Sequence, residues 1–584
     1  MYTRRVFLSL HKELFDSIAP QNAENRTVAK SLPLFLKYSV KCLFFKWLYQ
    51  TVENLKYIFT LPLFFSTVAC SDDSPQTPDT SGQPDSSINV EKTVTIDAGQ
   101  SFQTLTGFGA SDCWAPAFVG KSWITNRDKI SELLFSSEIQ SGQPKGIGLS
   151  MWRVNLGGGS AEQGEASGIE DKSRRAESYL TDDLTLDWTR CKGQRYFLQR
   201  AKEFGCQSIV LFSNTPPVQY TSNGKGFSNS GGVSNLKDEC YTDFARYMSD
   251  VAKYYVNEGY PVTHISPVNE PQYNWDSGQE GSGWTNDEVA RLIRELDTAI
   301  TSAGLSIDIL PGESGDYEYL YKFKNDAAHS NVLSAFFTPG TSTYIGNLTH
   351  VKKLICGHSY WTDGTWDGMR NVRKQLAQAA QQYDVEIWQS EWSMLGDGYS
   401  SSEFIGYDQA TEMDIALYMS KVIHNDLTIA GVSSWSYWTS MDIPRWGHKN
   451  RFLLISLEPS DGVYGDIEKE GTYKATPTLW VLGNYSLFIR PGYRRIMLNM
   501  NESSSFFGSA WISPKKDKIV AVYTNLSEKG VRLNEIHKEW VSEISSITTY
   551  TTTNNKNLQE VHVTADQQVI VPSESVTTVI YNLK

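Results

Sequence analysis

The chain has 584 residues and a mass of 65.7 kDa, too long for one ordinary domain and suited to about two to four domains, or to one large barrel with an addition. Aromatic residues make up 12% and charged residues only 20%, which excludes a largely disordered chain. With 53 Lys+Arg against 66 Asp+Glu the net charge is −13, so counterion release from a polyanion offers no gain and nucleic acid is set aside as a partner. The 17 Trp and 30 Tyr suit either sugar stacking or an aromatic core.

At the N-terminus, residues 56–70 run from a basic flank at Lys56 through a short apolar stretch to small residues and Cys70. The stretch is too short to span a bilayer and has the form of a secretory signal. Thr67-Val68-Ala69-Cys70 resembles the lipobox of bacterial lipoproteins, with Thr67 where Leu is commoner. That resemblance implies lipidation at Cys70, and Ser71-Asp72-Asp73-Ser74 resembles the start of lipoproteins exported to the surface of Gram-negative bacteria. The expectation is an outer-membrane or surface lipoprotein touching the membrane only through its lipid, with a periplasmic or secreted protein as the alternative. Residues 1–70 are read as leader, 1–53 lying upstream of the expected start, and 71–91 as a flexible tether of Ser, Asp, Pro, Gln, Thr and Gly. Of the remaining cysteines, Cys113, Cys191, Cys206, Cys240 and Cys356, none shows Cys-x-x-Cys spacing, so no zinc site is expected. A bridge such as Cys191–Cys240 is allowed.

A strand at 92–106 comes next, and from 107 to about 440 eight apolar or β-branched runs alternate with helical stretches. The runs occupy 107–111, 148–155, 208–214, 263–270, 307–313, 354–360, 386–391 and 431–438. Between them, 287–303 carries Val289, Leu292, Ile293, Leu296 and Ile300 on one stripe, and 413–424 a second set. This alternation predicts a (β/α)8 barrel over 107–485. The runs end in Asp112, Arg153, Asn214, Glu270, Glu313, His358, Glu391 and Trp438, and the C-terminal strand ends of such barrels build the active site. Beyond 486 the runs at 518–525, 561–564, 568–572 and 575–582 predict a β-sandwich to residue 584, completed by the strand before the barrel.

Asn269-Glu270-Pro271 ends the fourth run and Ser390-Glu391-Trp392 the seventh. Glutamates on non-adjacent strands can face each other across a barrel mouth, and hydrolysis of a glycoside through a covalent intermediate needs two carboxyls about 5–5.5 Å apart. An ionised nucleophile raises its neighbour's pKa and keeps that neighbour a proton donor; once the nucleophile is esterified, the neighbour becomes a base.

Together with that pair, Gly107-Phe-Gly-Ala-Ser-Asp112, Arg153-Val-Asn-Leu-Gly-Gly158, Ser213-Asn-Thr-Pro-Pro217, Ser266-Pro-Val-Asn-Glu-Pro271, Gly357-His-Ser-Tyr360 and Phe488-Ile-Arg-Pro-Gly-Tyr493 resemble glycoside hydrolase family 30 of clan A, from about residue 92 to the end. The resemblance implies a retaining mechanism with Glu270 as acid/base and Glu391 as nucleophile. It further implies that Asn269 bonds the hydroxyl beside the anomeric carbon and that Arg153 keeps the nucleophile ionised. His358 and Tyr360 would line the mouth, Tyr360 reaching Glu391, while Asp112 and Trp438 would grip the central sugar. The third-strand segment lacks the Trp of glucosylceramidase-like members, and Arg153–Gly159 with Gln279-Glu-Gly281 resembles the endo-β-1,6-galactanase-like branch.

The expected protein is therefore a monomeric retaining endo-β-1,6-galactanase acting on polysaccharide or oligosaccharide, with no cofactor and no metal. A β-1,6-glucanase or exo-acting glycosidase is the alternative within the same chemistry, and a non-catalytic glycan-binding lipoprotein the alternative outside it. No Gly-x-Ser-x-Gly elbow, Walker loop or His-Glu-x-x-His motif supports another enzyme class.

Overall fold

The computed structural model of the protein describes residues 90–395, 403–538, 540, 543–564 and 567–584; Cys70, the leader and the tether up to 89 lie outside the described residues. All eight strand-like runs become strands of one parallel sheet: Gly107–Ser111, Met151–Asn155, Ser208–Phe212, Val262–Ser266, Asp308–Ile309 with Gly312–Ser314, Leu354–His358, Glu386–Trp392 and Ser434–Tyr437. The fifth strand is split at Leu310 and Pro311. Its first piece pairs with the fourth strand and its second with the sixth, which closes the barrel. Pro311 has no N–H for a ladder, but its carbonyl still accepts from the Cys356 N–H at 3.0 Å.

These strands read as unbroken apolar runs because both of their faces are covered. Along Ser208–Phe212, Ile209 and Leu211 face the surrounding helices, whereas Val210 points inward onto Met151, Leu310, Leu354, Cys356 and Trp388, a plug that fills the barrel interior. The barrel is therefore closed within, and chemistry is confined to its rim.

The helix predicted at 287–303 spans Asn286–Ala303, opened by a capping box between Thr285 and Glu288 and ended at Gly304 in the left-handed conformation. The one predicted at 413–424 spans Glu412–Asn425 behind a second capping box, Thr411 with Asp414. It is buried almost all round, because it also packs against Phe506–Ile512, Lys518–Asn525 and Ser575–Leu583 of the β-domain.

In that second domain Val90–Thr104 pairs parallel with Val531–Lys538 and antiparallel with Arg494–Asn499, so the strand before the barrel does complete the C-terminal sheet. Alternation along Lys518–Asn525 splits its residues between two cores. Val520 and Val522 join the core shared with the barrel, while Ile519, Ala521 and Tyr523 meet Val94, Ile96, Val531 and Leu533 inside the sandwich. A polar rivet joins the domains: in the helix Pro477–Ser486, Asn484 Nδ2 donates to the Tyr550 carbonyl at 2.9 Å and to Thr578 Oγ1 at 3.0 Å. All five described cysteines are buried and unpaired, so the bridge allowed between Cys191 and Cys240 is not formed.

Candidate active site

Glu270 lies four residues beyond the end of the fourth strand, at φ 41°, in the left-handed region. A non-glycine residue is held there only by its surroundings, at a cost of about 1–3 kcal/mol. Here the Glu270 N–H donates to the Glu313 carbonyl at 2.9 Å, and the Glu270 carbonyl accepts from the Tyr273 N–H at 3.0 Å and from Trp275 Nε1 at 3.3 Å. Glu391 is built into the strand Glu386–Trp392 and is buried. One carboxylate oxygen of Glu270, one of Glu391 and one ring nitrogen of His358 all lie within 4.8 Å of one another. That is the close spacing of retaining glycosidases, not the wider gap that leaves room for a water.

Each oxygen of Glu391 has its own donor: Tyr360 Oη reaches Oε1 at 3.0 Å and Arg153 Nη1 reaches Oε2 at 2.7 Å. The other arm of the Arg153 fork donates to Asn269 Oδ1 at 2.9 Å and to Glu313 Oε2 at 3.3 Å, and its guanidinium lies over the Phe212 ring, 3.6 Å from the centroid. His358 is enclosed, with Nδ1 at 3.0 Å from Glu270 Oε1 and Nε2 at 2.9 Å from Glu313 Oε2. Glu313 also accepts from Ser266 Oγ at 2.8 Å and from Ser390 Oγ at 2.7 Å.

Burial alone would raise the Glu313 carboxyl, but Arg153, His358 and Ser390 outweigh it and bring its pKa down to about 2. Burial alone would neutralise His358, yet the carboxylates of Glu391, Glu270 and Glu313 hold it as imidazolium, its pKa pushed up to about 10. Burial pushes the Glu391 carboxyl up against the pull of His358 and Arg153, and the Glu270 charge pushes the same way. The cluster thus sets two cations, Arg153 and His358, against three carboxyls, and a single proton taken up by it would make it neutral. Although His358, Glu270 and Glu391 have the spacing of metal ligands, an imidazolium bonded at both nitrogens offers no lone pair to a metal.

Of the residues expected at the site, Glu270, Glu391, Asn269, Arg153, His358 and Tyr360 come together in one network. Two roles are corrected. His358 does not line the mouth: it is fully buried beneath Glu270 and acts on the carboxylates. Arg153 is not one of them: also buried, it stands beside Glu391 as expected and donates to it and to Asn269. Asp112 is set back from a sugar by burial, only 1% exposed, with Oδ1 accepting from the Asn155 N–H and Oδ2 from Gln194 Nε2, both at 2.8 Å, and burial pushes its pKa up to about 7. Trp438 remains half-exposed at the end of the eighth strand, its ring edge-on to Trp114 at 5.1 Å. Glu313 was visible only as one strand end among eight, and Ser266 and Ser390 only as neighbours of motif residues; their place beneath the glutamates was not foreseen. Glu280 was visible only within a motif. It is fully buried and accepts from the Gly158 N–H at 2.8 Å, the Ser160 N–H at 3.0 Å and Ser160 Oγ at 2.6 Å.

Stability should follow the Glu313–His358 pair. Glu313 titrates at 4.5 in its ordinary state and at about 2 here, so its contribution is complete above 4.5 and is lost as pH falls towards 2. The shift corresponds to roughly 3 kcal/mol in full. His358 moves from 6.5 to about 10, so its contribution is complete below 6.5 and is lost as pH rises towards 10. Both shifts contain the same ion pair and do not add. Urea midpoints measured against pH should show a plateau between these limbs. Glu313→Gln should remove the acid limb and move the alkaline limb to lower pH; an unchanged profile in that variant would show that the pair does not govern stability.

A model of O-glycosyl hydrolase family 30 matches residues 91–448. An endo-beta-1,6-galactanase of Hypocrea rufa is 26% identical over 423 residues, 69% of this chain and 76% of that protein. A glucuronoxylanase of Bacillus subtilis (strain 168) is 23% identical over 394 residues, 66% of this chain and 77% of the other. The crystal structure of a conserved exported protein from Bacteroides fragilis superposes with a TM-score of 0.77 at 29% identity, covering 84% of this chain and all of that one.

Proposed function

The chain belongs to O-glycosyl hydrolase family 30, and from that premise we propose that it is a retaining endo-β-1,6-galactanase with Glu391 as nucleophile and Glu270 as acid/base. The observation that carries the mechanism is the unequal supply of donors to two carboxyls within 4.8 Å of each other. Both oxygens of Glu391 are held by Arg153 and Tyr360, which favours the anion and aims it at an anomeric carbon. Glu270 accepts on Oε1 from His358, which leaves Oε2 to carry a proton to the glycosidic oxygen. As the C–O bond breaks, Glu391 bonds to carbon, and Glu270 gives its proton to the leaving hydroxyl. With Glu391 esterified and its charge gone, Glu270 takes a proton from the incoming water, which displaces Glu391 with overall retention. Asn269 Oδ1 is tied to Arg153, which turns the amide N–H2 towards the hydroxyl next to the reacting carbon.

The galactan reading is supported by the relative from Hypocrea rufa. It is also supported by contact between the two segments that resemble the galactanase branch, since Glu280 of the second clasps Gly158 and Ser160 at the first. Incubation with β-1,6-galactan and, separately, with β-1,6-glucan tests it. Galactan alone should yield oligosaccharides, with the first product in the β-anomeric form by NMR. Release from glucan alone would keep the mechanism and overturn the substrate; an α-anomer first would overturn the mechanism.

A further inference from the structure

Trp361 directly follows Tyr360, whose hydroxyl touches the nucleophile. It is 63% exposed and sits at φ 53°, a conformation that crowds any bulky L-residue. Neighbouring bonds impose it. Thr362 Oγ1 donates to the Ser359 carbonyl at 2.9 Å, and Arg373 Nη1 to the Thr362 carbonyl at 2.7 Å. The indole meets the Tyr360 ring at 5.6 Å, tilted by 55°, and the rest of it faces solvent. Across the fifth strand stands Tyr273, 52% exposed, on the turn that Glu270 begins. Its ring rests edge-on against Trp275 at 5.0 Å. Two large apolar rings are thus held out to water on turns that carry Glu270 itself and Tyr360, whose hydroxyl reaches Glu391. A strained, exposed aromatic at such a place points to a ligand.

The sheet order decides which part of the ligand. Barrel strands four, five and six are consecutive neighbours, and strands eight and one lie together on the opposite side. Tyr273 follows strand four, which also leads to the acid, and Trp361 follows strand six. The acid delivers its proton to the departing oxygen, so the departing chain must lie over the acid's half of the mouth. We infer that Trp361 and Tyr273 form a stacking platform for the sugars on the leaving-group side of the scissile bond. This rests on the glycan-hydrolase reading above and adds the seat of the departing chain. A flat ring with two torsions is an inexpensive anchor in conformational entropy. A 1,6-linked chain, with one extra rotatable bond per link, has more freedom to lose than other linkages and gains most from such an anchor.

The test compares β-1,6-galactan with 4-nitrophenyl β-1,6-galactobioside, whose leaving group carries no sugar. Trp361→Ala and Tyr273→Ala should each lower kcat/KM on the polymer about tenfold, mainly through KM, and leave the aryl substrate within about twofold of wild type. Trp361→Phe should keep most of the polymer activity. Equal losses on both substrates, or none on either, would overturn the platform. The same pair of measurements with β-1,6-glucan and its aryl disaccharide separates this from the choice of sugar. If only glucan is cleaved, the galactan reading fails and the ratio still decides the platform. A wild type that splits aryl substrates but neither polymer has no departing chain to seat, which would overturn both.

Discussion

Glu391→Gln is expected to lower kcat on polysaccharide by about four orders of magnitude, roughly 5–6 kcal/mol of barrier, in a protein that still folds. The amide keeps an oxygen for the Tyr360 hydroxyl but cannot attack carbon. Glu270→Gln should cost as much on polysaccharide, whose leaving hydroxyl needs a proton, and far less on a dinitrophenyl glycoside, whose leaving group does not. On that substrate the glycosyl-enzyme should accumulate, because the amide cannot activate water. Azide, which needs no base, should restore turnover and give a glycosyl azide of retained configuration. In Glu391→Ala, azide should enter the vacated space and attack the sugar directly, giving the inverted azide. The two stereochemical outcomes assign the roles independently of rate. The opposite pattern would exchange the residues, and near-wild-type rates in either variant would remove that residue from the mechanism.

The two glutamates were legible because residue type and position coincided, each closing an apolar run that parallel strands buried on both faces are bound to show. What lies beneath them was not. The run at 307–313 also closes on a glutamate, but Pro311 divides that strand, and no periodicity tells whether Glu313 points to solvent or under its neighbours. In the structure it is fully buried between Arg153 and His358. His358 and Asp112 show the same gap: strand ends placed them near the mouth, while hydrogen bonds made after folding turned them away from a sugar. The backbone of Glu270 ran against local preference, since a residue before proline favours extended conformations, yet its φ is 41°. In the β-domain, Lys518–Asn525 and Ser575–Leu583 were readable, whereas Arg494-Arg-Ile-Met-Leu-Asn499 has no clean alternation and becomes a strand by pairing with Val90–Thr104.

Arg153→Met should do the greatest harm of any change that leaves the carboxylates intact. Arg153 is 2% exposed and pairs with both Glu391 and Glu313, at 2.7 and 3.3 Å. Burial works against its charge, but those two carboxylates hold its pKa above the usual guanidinium value. Without it, three carboxyls face one imidazolium, and the cluster regains neutrality only by taking up another proton. Glu391, already pushed upward by burial, is the group that takes it, and a protonated Glu391 is no nucleophile. The expected loss in kcat/KM is about 10³-fold near neutral pH, with the acid limb of the pH–rate profile moved upward because Glu391 must first ionise. Stability should fall by roughly 3–5 kcal/mol in urea unfolding, the usual effect of stranding a buried charge. Arg153→Lys should not restore activity, because one ammonium cannot reach Glu391 Oε2 and Asn269 Oδ1 as the fork does, at 2.7 and 2.9 Å. A lysine variant within about tenfold of wild type would mean that charge alone suffices and that the fork's alignment of Asn269 is dispensable.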